Sequence, residues 1–258
     1  MQKILSQLRQ AVNDFNMIQD GDKIAVGISG GKDSIALLTA LAMYKKFSPQ
    51  KFDLVGININ IGFDGVDQNE VDACIKYCND LGVELIIEKT DIKEIVFDIR
   101  KESNPCSLCA KMRRGALSDI AVKNGCNKLA LGHHKDDVLD TFLLSLIYEG
   151  RLSTFQPITY MSRSNITLIR PFVYVDEKYI KSAVKRLNLP IIHNPCPEDK
   201  HTRREDTKKL VDYIEENFGF CKDRMFRAIT HPERNNLWDK SLELVDKQDN
   251  FNNHQDKN

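Results

Sequence analysis

The chain has 258 residues, of which 41% are hydrophobic and 29% are charged, and its 37 basic side chains balance 37 acidic ones. This composition is typical of a globular protein with a buried core, and the sequence has no apolar run as long as the roughly 18 residues of a membrane-spanning helix. The zero formal net charge excludes a protein that binds nucleic acid through overall positive charge. Any RNA must therefore meet a local basic patch.

An amphipathic helix is predicted at the N-terminus. In the stretch MQKILSQLRQAVNDF, apolar residues recur at helical spacing: Ile4, Leu5, Leu8, Val12 and Phe15. A secretory signal would instead have a long apolar centre and a small-residue cleavage site. We therefore expect a cytoplasmic protein with this helix docked on its core.

Strand and helix patterns then alternate along the chain. Strands are predicted at Lys23–Ser29, Phe52–Asn60, Val83–Thr90, Lys128–His133 and Ile166–Phe172. Helices are predicted at Ser34–Phe47, Asn69–Leu81, Cys109–Asn124, Lys135–Tyr148, Asp176–Asn188 and Glu205–Phe218. Strands that are apolar on both faces and alternate with helices indicate a parallel sheet covered on both sides. The predicted fold is α/β, an open doubly wound, Rossmann-like parallel sheet with an N-terminal helix and a helical C-terminal extension.

The loop after the first predicted strand has the composition of an anion site. Its residues are Ser29, Gly30, Gly31, Lys32, Asp33 and Ser34. At a helix start, backbone N–H groups and the positive end of the helix dipole face outward together. The glycines let the backbone approach an oxyanion, Lys32 adds a positive charge, and the serines add hydroxyl donors. The loop is not a P-loop, because Asp33 follows the lysine, and it lacks the G-x-G-x-x-G dinucleotide fingerprint.

A second motif, LGHHKDDVLDTFLL, joins another predicted strand to a helix at the same edge of the sheet. A carboxylate such as Asp33 beside a phosphate site is expected to help hold Mg²⁺. Asp136 and Asp137 could complete that metal site, or they could simply cap the helix that follows them.

Three of the seven cysteines have the placement of metal ligands. Cys106 and Cys109 form a C-x-x-C motif, and Cys196 lies between two prolines in HNPCP. Three interpretations compete: an iron–sulfur cluster with three protein ligands, a Cys₃His zinc site that also uses His193, and a redox dithiol of Cys106 and Cys109. Spacing alone slightly favours zinc.

Four motifs, taken in order, resemble those of one family. The strings SGGKDS, PCSLCAKMRRG, LGHHKDDVLDT and IRPFVYVDEKYI are similar to motifs of the tRNA 2-thiocytidine synthetases, the TtcA-like group of the N-type ATP pyrophosphatase (PP-loop) superfamily. The resemblance covers roughly Ile24 to Cys196 and implies the adenine nucleotide alpha hydrolase-like fold. It also implies an ATP-dependent, AMP-forming tRNA sulfurtransferase. Such an enzyme adenylates the C2 oxygen of a tRNA base, expected to be cytidine, and replaces it with sulfur.

The resemblance also implies cofactors. Family members use ATP and Mg²⁺ and carry a [4Fe–4S] cluster on three cysteines, which would be Cys106, Cys109 and Cys196 here. These cysteines, together with Lys32 and Asp33, are the expected catalytic residues.

By the same resemblance, the nucleotide contacts residues outside the loop. Ile59 and Gly132 would border the adenosine, and Arg113 would meet phosphate together with the loop lysine. Asp137 would lie near the loop and share Mg²⁺ with the loop aspartate.

Partners and domains follow from this interpretation. The expected substrate is tRNA, the sulfur donor would be a cysteine desulfurase or free sulfide, and a homodimer is a fair expectation. We expect a PP-loop domain over residues 1–195, a helical extension that contacts RNA over residues 196–238, and a disordered polar tail over residues 239–258. The basic groups that could meet RNA are Lys111, Arg113 and Arg114; Lys181, Lys185 and Arg186; and Lys200, Arg203, Arg204, Lys208 and Lys209.

Two other functions are compatible with parts of the sequence. A lysidine-synthetase-like tRNA ligase would adenylate the same C2 position but transfer an amine, and it would need no cysteine ligands. A non-catalytic nucleotide- or RNA-binding protein with a structural Cys₃His zinc site would bind ATP without forming AMP.

Overall fold

One mixed sheet forms the centre of the described chain. The computed structural model describes residues 1–101, 105–193, 195–196 and 203–238, so the predicted tail and Lys200 lie outside the described residues. The strands are β1 (Asp22–Gly27), β2 (Phe52–Asn60), β3 (Glu84–Lys89), β4 (Lys128–Ala130), β5 (Ile158–Met161) and β6 (Ile166–Ile169). Their order across the sheet is β3-β2-β1-β4-β6-β5.

Every neighbouring pair in this sheet is parallel except the last, in which β5 runs antiparallel to β6. The predicted doubly wound α/β fold is confirmed, and the antiparallel edge strand is an addition to it. β5 is short, and its side chains are half-buried or exposed, so its apolar pattern is weak. It forms because a turn that ends at Asn165, with φ of +50°, folds it back onto the buried strand β6.

Helices cover both faces of the sheet. They are α1 (Gln2–Asp14), α2 (Lys32–Lys45), α3 (Gln68–Asp80), α4 (Pro105–Lys123), α5 (Lys135–Glu149), α6 (Glu177–Leu187), α7 (Arg203–Phe218) and α8 (Cys221–Thr230). A π-helical segment (Glu94–Arg100) precedes α4. In the part of the chain described here, no helix has the length and hydropathy needed to cross a membrane.

Two hydrophobic cores lie on opposite faces of the sheet. The first contains the inner faces of α1, α2, α3 and α6, and the second contains those of α4 and the π-helical segment. Helix α2 is buried on nearly all sides, with side chains from Ile35 to Leu41 fully buried or nearly so, because α1 and α6 cover the side that faces away from the sheet. This burial fixes the start of α2, where the anion loop lies.

The C-terminal helices pack on α5. Leu139 and Leu143 of α5 form a third apolar cluster with Val211 of α7, and Met225 and Phe226 of α8 pack against it. Helix α7 ends at Phe218, as predicted, whereas α8 was not predicted. The two helices are divided at Phe220, whose positive φ of 55° interrupts the helical backbone.

Parallel pairing brings two loops to one edge of the sheet. Val26 of β1 lies opposite Gly56 of β2 on one side and opposite Ala130 of β4 on the other. The segments that follow β1 and β4 therefore leave the sheet side by side at its carboxyl edge, where α/β proteins bind ligands.

A buried ion pair closes the opposite edge. Lys128 Nζ lies 2.6 Å from Asp22 Oδ2, and the two residues are 8% and 4% exposed. Asp22 also accepts hydrogen bonds from the Asn127 side chain at 2.7 Å and from the Gln19 amide at 2.6 Å. These contacts join the starts of β1 and β4 and satisfy the buried carboxylate.

We expect Lys128→Met to lower the free energy of unfolding by about 3–5 kcal/mol, because it leaves Asp22 buried without its counter-ion. Urea denaturation would measure the change. The matched control is Lys45→Met, which breaks the exposed pair with Asp53 and should cost less than about 1 kcal/mol. Equal losses of unfolding free energy in the two variants would show that the buried ion pair stabilises the fold no more than the exposed one does.

Candidate active site

The loop after β1 is held in shape by its own hydroxyl groups. Ser34 Oγ donates to the Gly31 carbonyl at 2.8 Å and accepts from the Ser29 amide at 3.2 Å. The Gly31 amide donates to Ser29 Oγ at 3.3 Å. The N-cap of α2 is Gly31, which has no side chain to bond the first-turn amides, so these donors are available to an anion.

Two glycines allow close contacts around this loop. Gly30 has φ of +85°, and a Cβ there would lie 2.7 Å from Cβ of Ile192. The Gly30 carbonyl also accepts a hydrogen bond from the Ile192 amide at 2.9 Å. A Cβ on Gly132 would lie 3.0 Å from the Asp33 carbonyl carbon and oxygen. The loops after β1 and β4 are therefore in backbone contact.

Lys32 is held between two carboxylates. Its Nζ lies 2.9 Å from Asp33 Oδ2 and 2.9 Å from Glu177 Oε1. Glu177 is 7% exposed and also bonds Lys181 and Lys208. Burial alone would raise the pKa of Glu177, but hydrogen bonds from Lys181 and Lys32 outweigh it and lower that pKa to about 2. The carboxylate is therefore ionised wherever the protein is folded near neutral pH.

His134 brings the two predicted magnesium ligands together. Its Nε2 lies 3.6 Å from Asp33 Oδ1 and 3.5 Å from Asp137 Oδ2. The His134 amide donates to Asp137 Oδ2 at 2.9 Å. Asp137 therefore caps α5, which is one of the two roles that the sequence suggested for it. Asp33 Oδ1 and His134 Nδ1 are buried without a hydrogen-bond partner, which suits a site that is completed by a bound group.

A cavity of about 330 Å³ lies between these loops and α4. The predicted site residues that line it are Ser29, Asp33, Ser34, Ile59, Arg113, Gly132 and Asp137. Gly30, Gly31 and Lys32 belong to the same loop but are not among the lining residues. The side chain of Lys32 instead points to Glu177.

Other lining residues were not predicted. They are Gly27, Ile28, Ile57, Ala110, Arg114, Leu117, Leu131 and His133. The apolar residues among them lie at strand ends and in α4. In the sequence they cannot be distinguished from ordinary core residues. Burial lowers the pKa of His133 to about 4, so this imidazole is neutral and offers a hydrogen-bonding edge without charge.

The predicted cluster ligands lie beside the cavity. Cys106 and Cys109 are in the first turn and a half of α4, just before Ala110, which lines the cavity. Burial raises the pKa of the Cys109 thiol, Arg113 lowers it, and Cys196 and Cys106 raise it again. The net effect is a raised pKa of the Cys109 thiol, which the neighbouring Arg113 partly offsets.

Three cysteine thiols are a donor set that suits the predicted [4Fe–4S] cluster. In the described ranges, no three His, Cys, Asp or Glu side chains are arranged to hold one metal ion. Three thiolates on a [4Fe–4S] cluster bind three different irons, so they need not meet at one point. His193, the predicted fourth zinc ligand, instead bonds Glu70 through both its backbone amide and Nδ1. The assignments of Mg²⁺ and of the cluster to these residues stay predictions.

An acidic row extends along α5 behind the cavity. Asp140 lies one turn after Asp136 and Asp137 and is 4% exposed. Burial first, and then the charges of Asp137 and Asp136, raise the pKa of Asp140 to about 7. Lys208 and Arg204 of α7 partly offset this effect, so α7 faces the acidic row with its basic side chains.

Gly132→Ala should weaken binding of a non-hydrolysable ATP analogue about tenfold, because the new methyl group would push the β4 loop away from Asp33 at a cost of about 1–3 kcal/mol. Calorimetry would measure the affinity. In Gly115→Ala the methyl group enters open space within α4, so this control should keep wild-type affinity. Unchanged affinity in Gly132→Ala would mean that the loop contact is unimportant for the nucleotide.

Asp140→Asn should stabilise the protein at pH 8 and have little effect at pH 4. The carboxyl titrates near 3.8 when unfolded and near 7 when folded, so the native state retains the proton and wild-type stability falls as pH rises through this interval. The gain at pH 8 is bounded at about 4 kcal/mol by the conversion of about 1.4 kcal/mol per pKa unit. Urea unfolding at both pH values measures it, with the exposed Asp80→Asn as a control that should change stability by less than about 1 kcal/mol at each.

Comparison with known proteins assigns the family. A model of the PP-loop domain family matches residues 1–211 and so extends past residue 195 into α7. The tRNA-cytidine(32) 2-sulfurtransferases of Syntrophotalea carbinolica and Geobacter sulfurreducens are 35% and 36% identical to this chain. These alignments cover 93% and 94% of the chain and 93% and 95% of the relatives.

A solved structure agrees with this assignment. The U34-tRNA thiolase NcsA from Methanococcus maripaludis, with its [4Fe-4S] cluster, superposes with a TM-score of 0.73 at 26% identity. The superposition covers 93% of this chain and 80% of NcsA. Because the matches extend over most of its length, the chain belongs to the PP-loop family, in the group of the tRNA-cytidine(32) 2-sulfurtransferases.

Proposed function

We propose that this chain is an ATP-dependent tRNA sulfurtransferase that replaces the C2 oxygen of a tRNA cytidine with sulfur. The observation that carries the proposal is the meeting of the anion loop, the acidic start of α5 and the two-cysteine turn of α4 around one cavity. The names of the relatives support cytidine 32 as the target nucleotide.

The cavity is suited to ATP. Its apolar wall includes Ile28, Ile57 and Ile59, which can cover the adenine ring. The amides at the start of α2 and the hydroxyls of Ser29 and Ser34 would bind the polyphosphate. Asp33 and Asp137 carry the carboxylates that would hold Mg²⁺.

In the first step, the C2 oxygen of cytidine attacks the α-phosphate of ATP, and pyrophosphate leaves. Negative charge grows on the departing pyrophosphate, so donors already fixed in the loop stabilise the transition state more than the ground state. Lys32 and Arg113 supply positive charge on either side of this reaction. The product is a cytidine whose C2 oxygen now leaves readily as part of AMP.

In the second step, hydrosulfide forms a bond to C2 through its lone pair and loses its proton, and the C2–oxygen bond breaks, which releases AMP. When bound to three cysteines, a [4Fe–4S] cluster has one iron without a protein thiolate, and this iron is free to take a sulfur ligand from outside. Cys106, Cys109 and Cys196 would hold the cluster. Cys196 lies four residues after Ile192, whose amide donates to the Gly30 carbonyl, and this closeness in sequence supports a cluster site near the nucleotide loop.

The substrate RNA would approach over α7. Arg203, Arg204 and Lys209 are exposed on this helix, and Arg203 stacks over the ring of Tyr148 at 4.8 Å. Such a surface suits phosphate contacts and base stacking. Residues 196–238 would in this view form the RNA-contacting extension, and sulfur would come from a cysteine desulfurase or free sulfide.

The test is an anaerobic assay with purified protein, ATP, Mg²⁺, sulfide and tRNA that lacks 2-thiocytidine. We expect about four irons per chain, AMP formation, and 2-thiocytidine at position 32 by nucleoside mass spectrometry. Cys196→Ser should lose iron and thiolation because the cluster loses a ligand, while affinity for an ATP analogue is kept. The control is Cys221→Ser, at the start of α8, which should keep iron and activity.

Wild-type protein that forms AMP but leaves C2 unthiolated would contradict the proposal, as would transfer of an amine to C2. Full thiolation by Cys196→Ser would reject the three-cysteine cluster.

A further inference from the structure

One buried carboxylate beside the nucleotide site joins lysines from three helices. Glu177, the first residue of α6, is 7% exposed. Its Oε1 lies 2.9 Å from Lys32 Nζ and 3.4 Å from Lys208 Nζ. Its Oε2 lies 2.9 Å from Lys181 Nζ. A carboxylate with this burial would be costly unless it were paired.

The main chain of Glu177 is fixed independently of its side chain. Its amide donates to Asp136 Oδ2 at 2.8 Å. Asp136 precedes Asp137, which lines the cavity, and Lys222 of α8 lies 3.1 Å from its other oxygen. The carboxylate of Glu177 is therefore held at a set position relative to the loops after β1 and β4.

Glu177 is the carboxylate that three lysines share. Lys32 bonds both Asp33 and Glu177, and Lys181 and Lys208 also bond Glu177. Loss of Glu177 would leave Lys32 bonded to Asp33 alone among these carboxylates. It would also leave three ammonium groups close together, which favours their separation.

We propose that Glu177 is a positioning residue that keeps the Lys32 ammonium group beside the anion loop, from where it can bond the departing pyrophosphate. This inference rests on the proposed function. Glu177 itself touches Lys32 and not the reacting atoms. Its contribution is a fixed position of the ammonium donor, which the flexible lysine side chain would otherwise not keep.

A purely structural role of Glu177 predicts a different result. An acidic residue in the first turn of α6 stabilises that helix through its dipole, whatever residue stands at position 32. Under that alternative, Glu177→Gln would lower activity through general instability, by the same factor with or without Lys32. A double-mutant cycle separates the two roles.

The experiment compares wild type, Glu177→Gln, Lys32→Met and the double variant. Two measurements are made. Steady-state kinetics of tRNA-dependent AMP formation give kcat and KM, and calorimetry gives the affinity for pyrophosphate. We expect Glu177→Gln to lower kcat by about 10- to 100-fold with a much smaller change in KM, because Lys32 then loses its fixed position in the transition state. Pyrophosphate affinity should fall as well.

In the Lys32→Met background, Glu177→Gln should have almost no further effect on either quantity. The matched control is Glu149→Gln, the same exchange in an ion pair with Arg151 at the far end of α5, which should behave as wild type. Glu177→Asp keeps the charge but shortens the reach, so it should give an intermediate loss that also disappears without Lys32.

Equal factors in both backgrounds, or an unchanged kcat and pyrophosphate affinity in Glu177→Gln, would overturn the inference. The pyrophosphate measurement needs neither tRNA nor sulfide. A wild-type protein that binds pyrophosphate through Lys32 and Glu177 but fails to thiolate tRNA would therefore contradict the proposed function alone.

Discussion

Parallel pairing of β1 with β2 and β4 is the constraint on which the rest of the site depends. All three strands end at the same edge, so the anion loop, the end of β2 and the acidic start of α5 meet without long connections. The contact of Gly132 with the backbone of Asp33 is possible only in this register. A slip of one residue in β4 would turn its buried side chains to the other face and separate the two loops.

The second organising feature is the distribution of charge around that edge. Carboxylates cluster at the starts of α5 and α6, and lysines from α2, α7 and α8 bond to them. The C-terminal helices are therefore tied to the nucleotide loop by ion pairs as well as by the apolar cluster around Val211. Such ties hold α7 and α8 at a fixed distance from the anion loop.

The sequence predicts those parts of the molecule that depend on local patterns. The anion loop, the C-x-x-C turn and the alternating strands and helices each have a short signature, and the helix and strand bounds agree to within a few residues. Asp140 and Glu177 lie within the quoted motifs, but the motifs do not predict their properties, because these come from neighbours distant in the chain, such as Lys32 and Lys208. Likewise, β5 depends on pairing with β6, and the position of α8 depends on its packing against α5.

The ion pair of Asp22 and Lys128 lies at the amino edge of the sheet, and there each carboxylate oxygen has a partner. The carboxyl edge differs, since Asp33 and His134 each have a buried polar atom without one. The buried polar groups at the amino edge of the sheet are therefore paired, and two of those at the carboxyl edge are not. Substitutions that stabilise the amino edge can raise the thermal stability of the protein without altering the polar groups at the carboxyl edge that would bind a ligand.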